Sequence, residues 1–226
     1  MNPITKFLSG FFGVAIRGQT YLNIFYLFLA FPLGLFYFIF LVVGFVLGFP
    51  LLVLLVGLLI LLAVFAGWWA LAIFERQMAI WLLKEDIPPM QPKNLAGQDL
   101  WNQIVAHLTN PITWTSLLFL VLKFPLGLLS FVVATTLIAL TGGLLTAPFV
   151  YPFVPLQVWF TWDRVWQIDT LGEAMIAFVA GVFIGLISLH ILNGLAWVSG
   201  RFARLMLGAA PRTAAPPTPA EALPVQ

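Results

Sequence analysis

Phe31-Pro32-Leu33-Gly34-Leu35-Phe36-Tyr37-Phe38 returns 93 positions later as Phe124-Pro125-Leu126-Gly127-Leu128-Leu129-Ser130-Phe131. Each copy sits inside a long apolar run, with a proline and a glycine at matched points. The repetition predicts an internal duplication in which each half carries a helix with a built-in distortion. Near the end of each half the offset becomes 124: Leu71-Ala72 matches Leu195-Ala196, and Ala79 matches Ala203. The two offsets, 93 and 124, differ by 31 residues, which places the extra sequence of the second half between its two apolar runs.

Composition says what surrounds these runs. Of 226 residues, 62% are hydrophobic and 8% charged, with a mean hydropathy of +1.06. Soluble domains carry roughly a quarter charged residues, so this much apolar surface needs lipid to cover it. The formal charge of +2 is too small to point to nucleic acid. There are no cysteines, and the two histidines, His107 and His190, have no ligand-type neighbour one helical turn away. No metal centre, cofactor or thiol chemistry is expected.

Taken in order, the chain predicts an all-α membrane protein of four spans, arranged as two tandem hairpins. Residues 1–20 place Phe7, Leu8, Phe11, Phe12, Ala15 and Ile16 on one helical face, the pattern of an interfacial helix. Residues 21–74 form the first hairpin: Tyr21–Gly48 is uncharged, Gly48-Phe49-Pro50 turns, and Leu51–Phe74 is uncharged again. Glu75-Arg76 is read as the end of that second span. Residues 75–112 form a polar linker, with an amphipathic stretch from Asp99 to Leu108. Residues 113–208 form the second hairpin, and 209–226 are Pro/Ala-rich and expected to be disordered.

Between the third and fourth spans, Pro148, Pro152 and Pro155 argue against a further straight helix. Parity argues the same way. With four spans, Lys6, Arg17, Arg76, Lys84, Lys93, Arg201, Arg204 and Arg212 all fall on one side, as the positive-inside rule requires. Residues 141–171 are therefore read as an outer loop with interfacial rings at Tyr151, Trp159, Trp162 and Trp166. Asp169 or Thr170 is placed to cap the fourth helix, with Glu173 at the positive end of its dipole.

Few residues inside the spans carry chemistry. Lys123 lies about two turns into the third span, where it can snorkel to the near interface; the alternative makes it an anchor for an anionic headgroup. Pro32 and Pro125 each remove a backbone donor, and paired interruptions in corresponding halves point to an intramembrane site, although shaping the packing is the simpler role. No acid is assigned to any span, which counts against ion coupling. His190 and Asn193, three apart on the fourth span, are placed to hydrogen-bond across helices. Gly44-x-x-x-Gly48 and Gly181-x-x-x-Gly185 permit close helix approach.

These motifs together resemble the bacterial "putative sensor" membrane domain. The resemblance rests on Phe31–Leu35, on Leu122-Lys123-Phe124-Pro125-Leu126-Gly127 and on Gly143-Leu144-Leu145-Thr146-Ala147-Pro148. Asp169-Thr170-Leu171-Gly172-Glu173-Ala174 completes the set. It covers about residues 16–208. It implies a four-helix module with both ends cytoplasmic in a bacterial inner membrane and a stimulus-sensing role, as in the membrane domains of many histidine kinases. Beyond Gly208 the sequence holds no dimerisation helix, phospho-accepting histidine or ATP-binding segment. Any signal is expected to leave through a separate partner.

The leading expectation is thus a non-enzymatic sensory module that responds to an envelope or lipophilic stimulus. An accessory subunit of a larger membrane complex is the alternative, and a small transporter component comes third. The partners implied are the bilayer, a separate signalling protein or complex, and a second copy of the chain. No catalytic set can be assembled from these residues.

Overall fold

The computed structural model describes residues 11–90, 109–154, 156–161 and 164–208. Four helices carry the fold: α1 (Gly18–Gly48), α2 (Val56–Leu83), α3 (Pro111–Val150) and α4 (Leu171–Leu207). All four are long and apolar enough to cross a membrane. In lipid every backbone donor must bond within its own segment, which is why uninterrupted apolar runs become helices. A 3-10 turn (Pro50–Leu54) joins α1 to α2, and a two-stranded hairpin, β1 (Leu156–Thr161) with β2 (Arg164–Ile168), joins α3 to α4.

The helix boundaries follow from local chemistry. Asn110 starts α3, its side chain accepting from the Ile112 amide at 3.1 Å with Pro111 in the first turn. At the head of α4, Thr170 caps Glu173 while Glu173 Oε2 accepts from the Asp169 and Thr170 amides at 3.0 and 3.1 Å. That settles the choice of cap in favour of Thr170. It also makes Asp169 and Glu173 parts of a helix start. Leu55 (φ 59°) and Lys84 (φ 55°) take left-handed conformations at the two ends of α2.

Contacts between helix ends fix the threading. Gln19 Nε2 at the start of α1 donates to the Leu82 carbonyl at the end of α2, at 2.6 Å. Thr115 at the start of α3 donates to the Met206 carbonyl at the end of α4, at 2.8 Å. The start of α1, the end of α2, the start of α3 and the end of α4 therefore share one end of the bundle. Arg76 holds the chain after α2 back against this end, donating to the carbonyls of Ile87 and Pro88. Ile87 and Met90 are buried there with Ala203 and Leu207.

Packing is of the membrane kind. Helix interfaces hold many small residues, among them Ala72, Ala79, Ala134, Ala174, Ala196 and Ala203, while most of the exposed surface of the spans is large aliphatic and aromatic side chains. A Cβ on Gly48 would stand 2.5 Å from the Leu61 side chain, and one on Gly185 would stand 2.8 Å from Thr141. Both Gly-x-x-x-Gly pairs thus lie at close helix contacts.

The closest approach of α1 and α3 is made by the repeated motif itself. A Cβ on Gly34 would lie 2.6 Å from the Lys123 carbonyl oxygen, and one on Gly127 would overlap the Ala30 carbonyl. Ala30 and Lys123 are themselves separated by 93 positions, so the contact is reciprocal. The phenylalanines repeat the relation: Phe31 to Phe131 is 5.2 Å between ring centroids, Phe38 to Phe124 is 5.1 Å, and Phe31 stacks on Phe124 at 6.4 Å. Thr20, Tyr26, Leu27, Ala30, Gly34, Tyr37 and Leu41 are buried on α1, and the residues 93 further on are all buried on α3.

Several expectations need correction. The stretch 141–171 is not all loop: α3 runs through Pro148 to Val150, because the lost donor and the ring's crowding of the Leu144 carbonyl fall in the last turn, where little helix remains to be disrupted. Between α3 and α4 the chain forms strands, so it is not wholly α-helical. Ile168 of the hairpin packs on Leu144, Ala147, Ala174 and Ala177, and Tyr151 packs against the same cluster. The α1–α2 turn is longer than Gly48-Phe49-Pro50, and α2 starts at Val56. Of the interfacial helix expected in residues 1–20, residues 1–10 lie outside the described residues; among 11–17, Val14 is buried and Phe12 and Ile16 are exposed. The amphipathic stretch Asp99–Leu108, the tail from 209 and Trp162 lie outside the described residues, and for Trp159 the description ends at its place in β1.

Candidate functional site

The most consequential difference from the sequence reading is the end of α2. The span does not stop at Glu75; it continues for eight more residues to Leu83. At about 1.5 Å per residue, Glu75 lies roughly 12 Å inside the helix end. Lys123, the thirteenth residue of α3, lies about 18 Å from its own start at the same end of the bundle. An acid and a base thus meet within membrane-length helices.

Their geometry is a closed ion pair. Lys123 Nζ stands 2.9 Å from Glu75 Oε2, and neither side chain has appreciable exposure, 6% for the lysine and 0% for the glutamate. Tyr37 on α1 donates to Glu75 Oε1 at 2.9 Å, so both carboxylate oxygens are bonded. Lys123 Nζ also donates to Tyr26 Oη on α1 at 2.7 Å. The ammonium lies over two rings, 4.3 Å from the Tyr26 centroid and 5.6 Å from that of Phe119. Three helices are tied together through one buried charge pair.

This arrangement overturns both readings of Lys123 as a cation without a protein partner. It does not snorkel, because snorkelling is the solution for a lysine with no counter-charge, and Glu75 supplies one. Nor is it a bare cation awaiting an anionic headgroup. The expectation that no acid lies inside a span is likewise wrong. A charge commonly marks the end of a span, yet Trp68, Ala72, Glu75 and Ala79 form one buried stripe at helical spacing. The signal for Glu75 is its place on that buried stripe.

Beside the ion pair, between α1, α3 and α4, lies a cavity of about 350 Å³. Lys123, Tyr26, Ser130 and Ser199 are the residues with polar side chains that line it, and Phe119, Leu195 and Phe202 are among its apolar ones. Glu75 and Tyr37 are not among the lining residues. Lys123 thus borders this space, while its carboxylate partner does not. Leu126, Leu129 and Val198 at its margin are exposed, so it opens on the lateral surface of the bundle.

The family described as "Putative sensor" matches residues 26–207, which contain the ion pair, the cavity, the last three spans and the first from Tyr26 onward. The chain belongs to that family. No curated protein and no solved structure matches it.

The other residues singled out in this sensor-family chain fall into three groups. Asn193 does bond across helices: its Nδ2 donates to Thr20 Oγ1 at 3.1 Å, and Asn23 Nδ2 donates to its Oδ1 at 2.8 Å. Gln19 extends the row by donating to Asn23 Oδ1 at 2.8 Å. His190 does not cross, because its Nδ1 contacts the Leu186 carbonyl of its own helix at 2.8 Å while its ring stacks on Phe11. Pro32 and Pro125 lie in uninterrupted helices, and Pro125 lines the cavity. The glycines two positions on, not the prolines, make the crossing. Tyr26, Tyr37 and Glu75 are absent from the residues that the sequence singles out, and so is Trp68, whose Nε1 donates to Ser116 Oγ at 3.0 Å.

Proposed function

We propose that this protein is a non-enzymatic sensory module whose output is a rearrangement of two hairpins, α1–α2 against α3–α4. The observation that carries the reading is the buried Glu75–Lys123 bond, which joins one hairpin to the other in a place where water cannot replace it. A bond of that kind is either made or lost, the property a two-state element requires. Family membership supports a sensory role. The reciprocal Gly34/Gly127 and Phe31/Phe124 contacts support the view that the hairpins are parallel repeats about a pseudo-two-fold axis along the membrane normal.

Sidedness follows from charge. Arg17, Arg76, Lys84, Arg201 and Arg204 gather at the shared helix ends, and the opposite end carries a single described base, Arg164, with Asp169 and Glu173. By the positive-inside rule the shared end is the cytoplasmic one in a bacterial inner membrane, and a separate signalling partner reads it there. Glu75 removes the sequence argument against ion coupling. It lends no support to transport, however, since both its oxygens are bonded and it is fully buried.

The hairpin tips report the rearrangement. The chain has no cysteine of its own, and Val53 (89% exposed) and Phe153 (84%) are open positions on the two tips. Spin labels at V53C/F153C in nanodiscs are expected to give two distance populations whose ratio shifts between thin and thick bilayers. Replacing both Glu75 and Lys123 by leucine is expected to leave one. A single distribution, unchanged across bilayers, would remove the sensory reading.

A further inference from the structure

We infer that the cavity beside Lys123 is a binding site for a single-chain amphiphile with an uncharged, hydrogen-bond-accepting oxygen head. The two sequence offsets relate the cavity to the ion pair. Shifted by 93 or 124 positions, the four residues of the ion-pair network, Tyr26, Tyr37, Lys123 and Glu75, correspond to Phe119, Ser130, Ala30 and Ser199. All four of those counterparts line the cavity. The offsets are not arbitrary, since Gly57/Gly181, Trp68/Leu192, Ala72/Ala196 and Ala79/Ala203 are buried in pairs at 124.

The cavity is therefore the counterpart of the ion-pair network in the other half of the bundle. Where one side holds a tyrosine, a glutamate and a lysine, the other holds serine, serine and alanine. The space that remains, about 350 Å³, lies within the range of small-molecule sites. Close-packed interiors do not leave such space without cost, and here short side chains hold it open next to a charged group.

The chemistry of the occupant follows from the ammonium. Lys123 Nζ has three donors; Tyr26 Oη and Glu75 Oε2 take two of them. Lys123 lines the cavity, and its third donor is the one that an oxygen bound there would take. Ser130 and Ser199 bond back to the Leu126 and Leu195 carbonyls of their own helices, so their hydroxyl protons are already used and their oxygens add no competing donor. Lys123 and Glu75 together are neutral. An anionic head would leave a net negative charge in a low-dielectric site, whereas an alcohol, ester or quinone oxygen leaves none. The apolar remainder of the molecule lies along Phe119, Leu195 and Phe202 and leaves by the lateral opening at Leu129 and Val198.

This occupant is the stimulus of the sensory reading and rests on that reading only for what binding does; occupancy is measured separately. Delipidated protein is titrated with hexadecan-1-ol, methyl hexadecanoate and hexadecanoate, and adducts are read by native mass spectrometry. One equivalent of the alcohol or the ester is expected to bind at least ten-fold more tightly than the carboxylate. Ser199→Leu, which fills the cavity, is expected to weaken this at least ten-fold with unchanged or higher thermal stability. Ser199→Ala, which keeps the space, is expected to bind as wild type does. Equal binding by Ser199→Leu would refute the site, and a preference for the carboxylate would refute the uncharged head. Should binding occur as described while the V53C/F153C distances stay fixed, the site stands and the sensory reading fails.

Discussion

Replacing Glu75 by leucine alone is expected to destabilise the fold by about 3–5 kcal/mol, because it leaves the Lys123 ammonium buried without its counter-charge. Lys123→Leu is expected to have a similar effect, through a carboxylate that keeps only its bond from Tyr37. The double variant is expected to lie near wild type or above it, since a buried pair exchanged for packed apolar groups costs little. Equilibrium unfolding in mixed micelles measures all four corners of this cycle. Two single effects that simply add in the double variant would mean that the residues do not stabilise each other.

The second large effect belongs to the crossing. Gly34→Ala places a Cβ 2.6 to 2.9 Å from the Lys123 carbonyl and the Phe124 Cα, all of it backbone that cannot rotate aside. α1 and α3 must separate, at a cost of about 1–3 kcal/mol, and the separation also lengthens the Lys123–Tyr26 bond. Gly127→Ala meets the Ala30 backbone in the reciprocal contact and is expected to cost a similar amount. Gly194 and Gly142 have open space around the Cβ position. Their alanine variants are expected to gain about 0.5–1 kcal/mol, as for a glycine in any helix interior. The four variants, compared by the same unfolding assay, separate close approach from helix propensity. Equal effects at all four positions would show that the motif glycines do not set the helix spacing.

Much of this architecture was legible in the chain. The repeated Phe-Pro-Leu-Gly-Leu marks both long helices as copies of one another, but not their pairing, since a duplication does not require its copies to touch. The helix start at Asp169–Glu173 was legible from its capping residue types and the acid in the first turn, though not which of Asp169 and Thr170 caps it. The β-hairpin was not, since residues 151–168 are mostly aromatic and apolar and alternate too weakly to separate a strand from an interfacial loop. The site was half legible. Lys123 stands out as a charge in a span, but its partner is hidden because a glutamate followed by an arginine resembles a helix leaving the membrane. Only the burial stripe from Trp68 to Ala79 distinguishes Glu75 from a residue at the interface. Tyr26 and Tyr37 carry no sequence signal beyond their place on the same face as Gly34.

An acid and a base that meet inside the bundle hold the two hairpins together, and a direct dipolar measurement tests that pairing. Protein labelled with ¹⁵Nζ-lysine and ¹³Cδ-glutamate, held in bilayers, is measured by rotational-echo double resonance. Strong dephasing is predicted from one lysine, as a 2.9 Å Nζ–Oε2 pair requires, with its loss in Glu75→Gln. A Lys123 signal that shows no dephasing by any glutamate carboxyl would contradict the pairing.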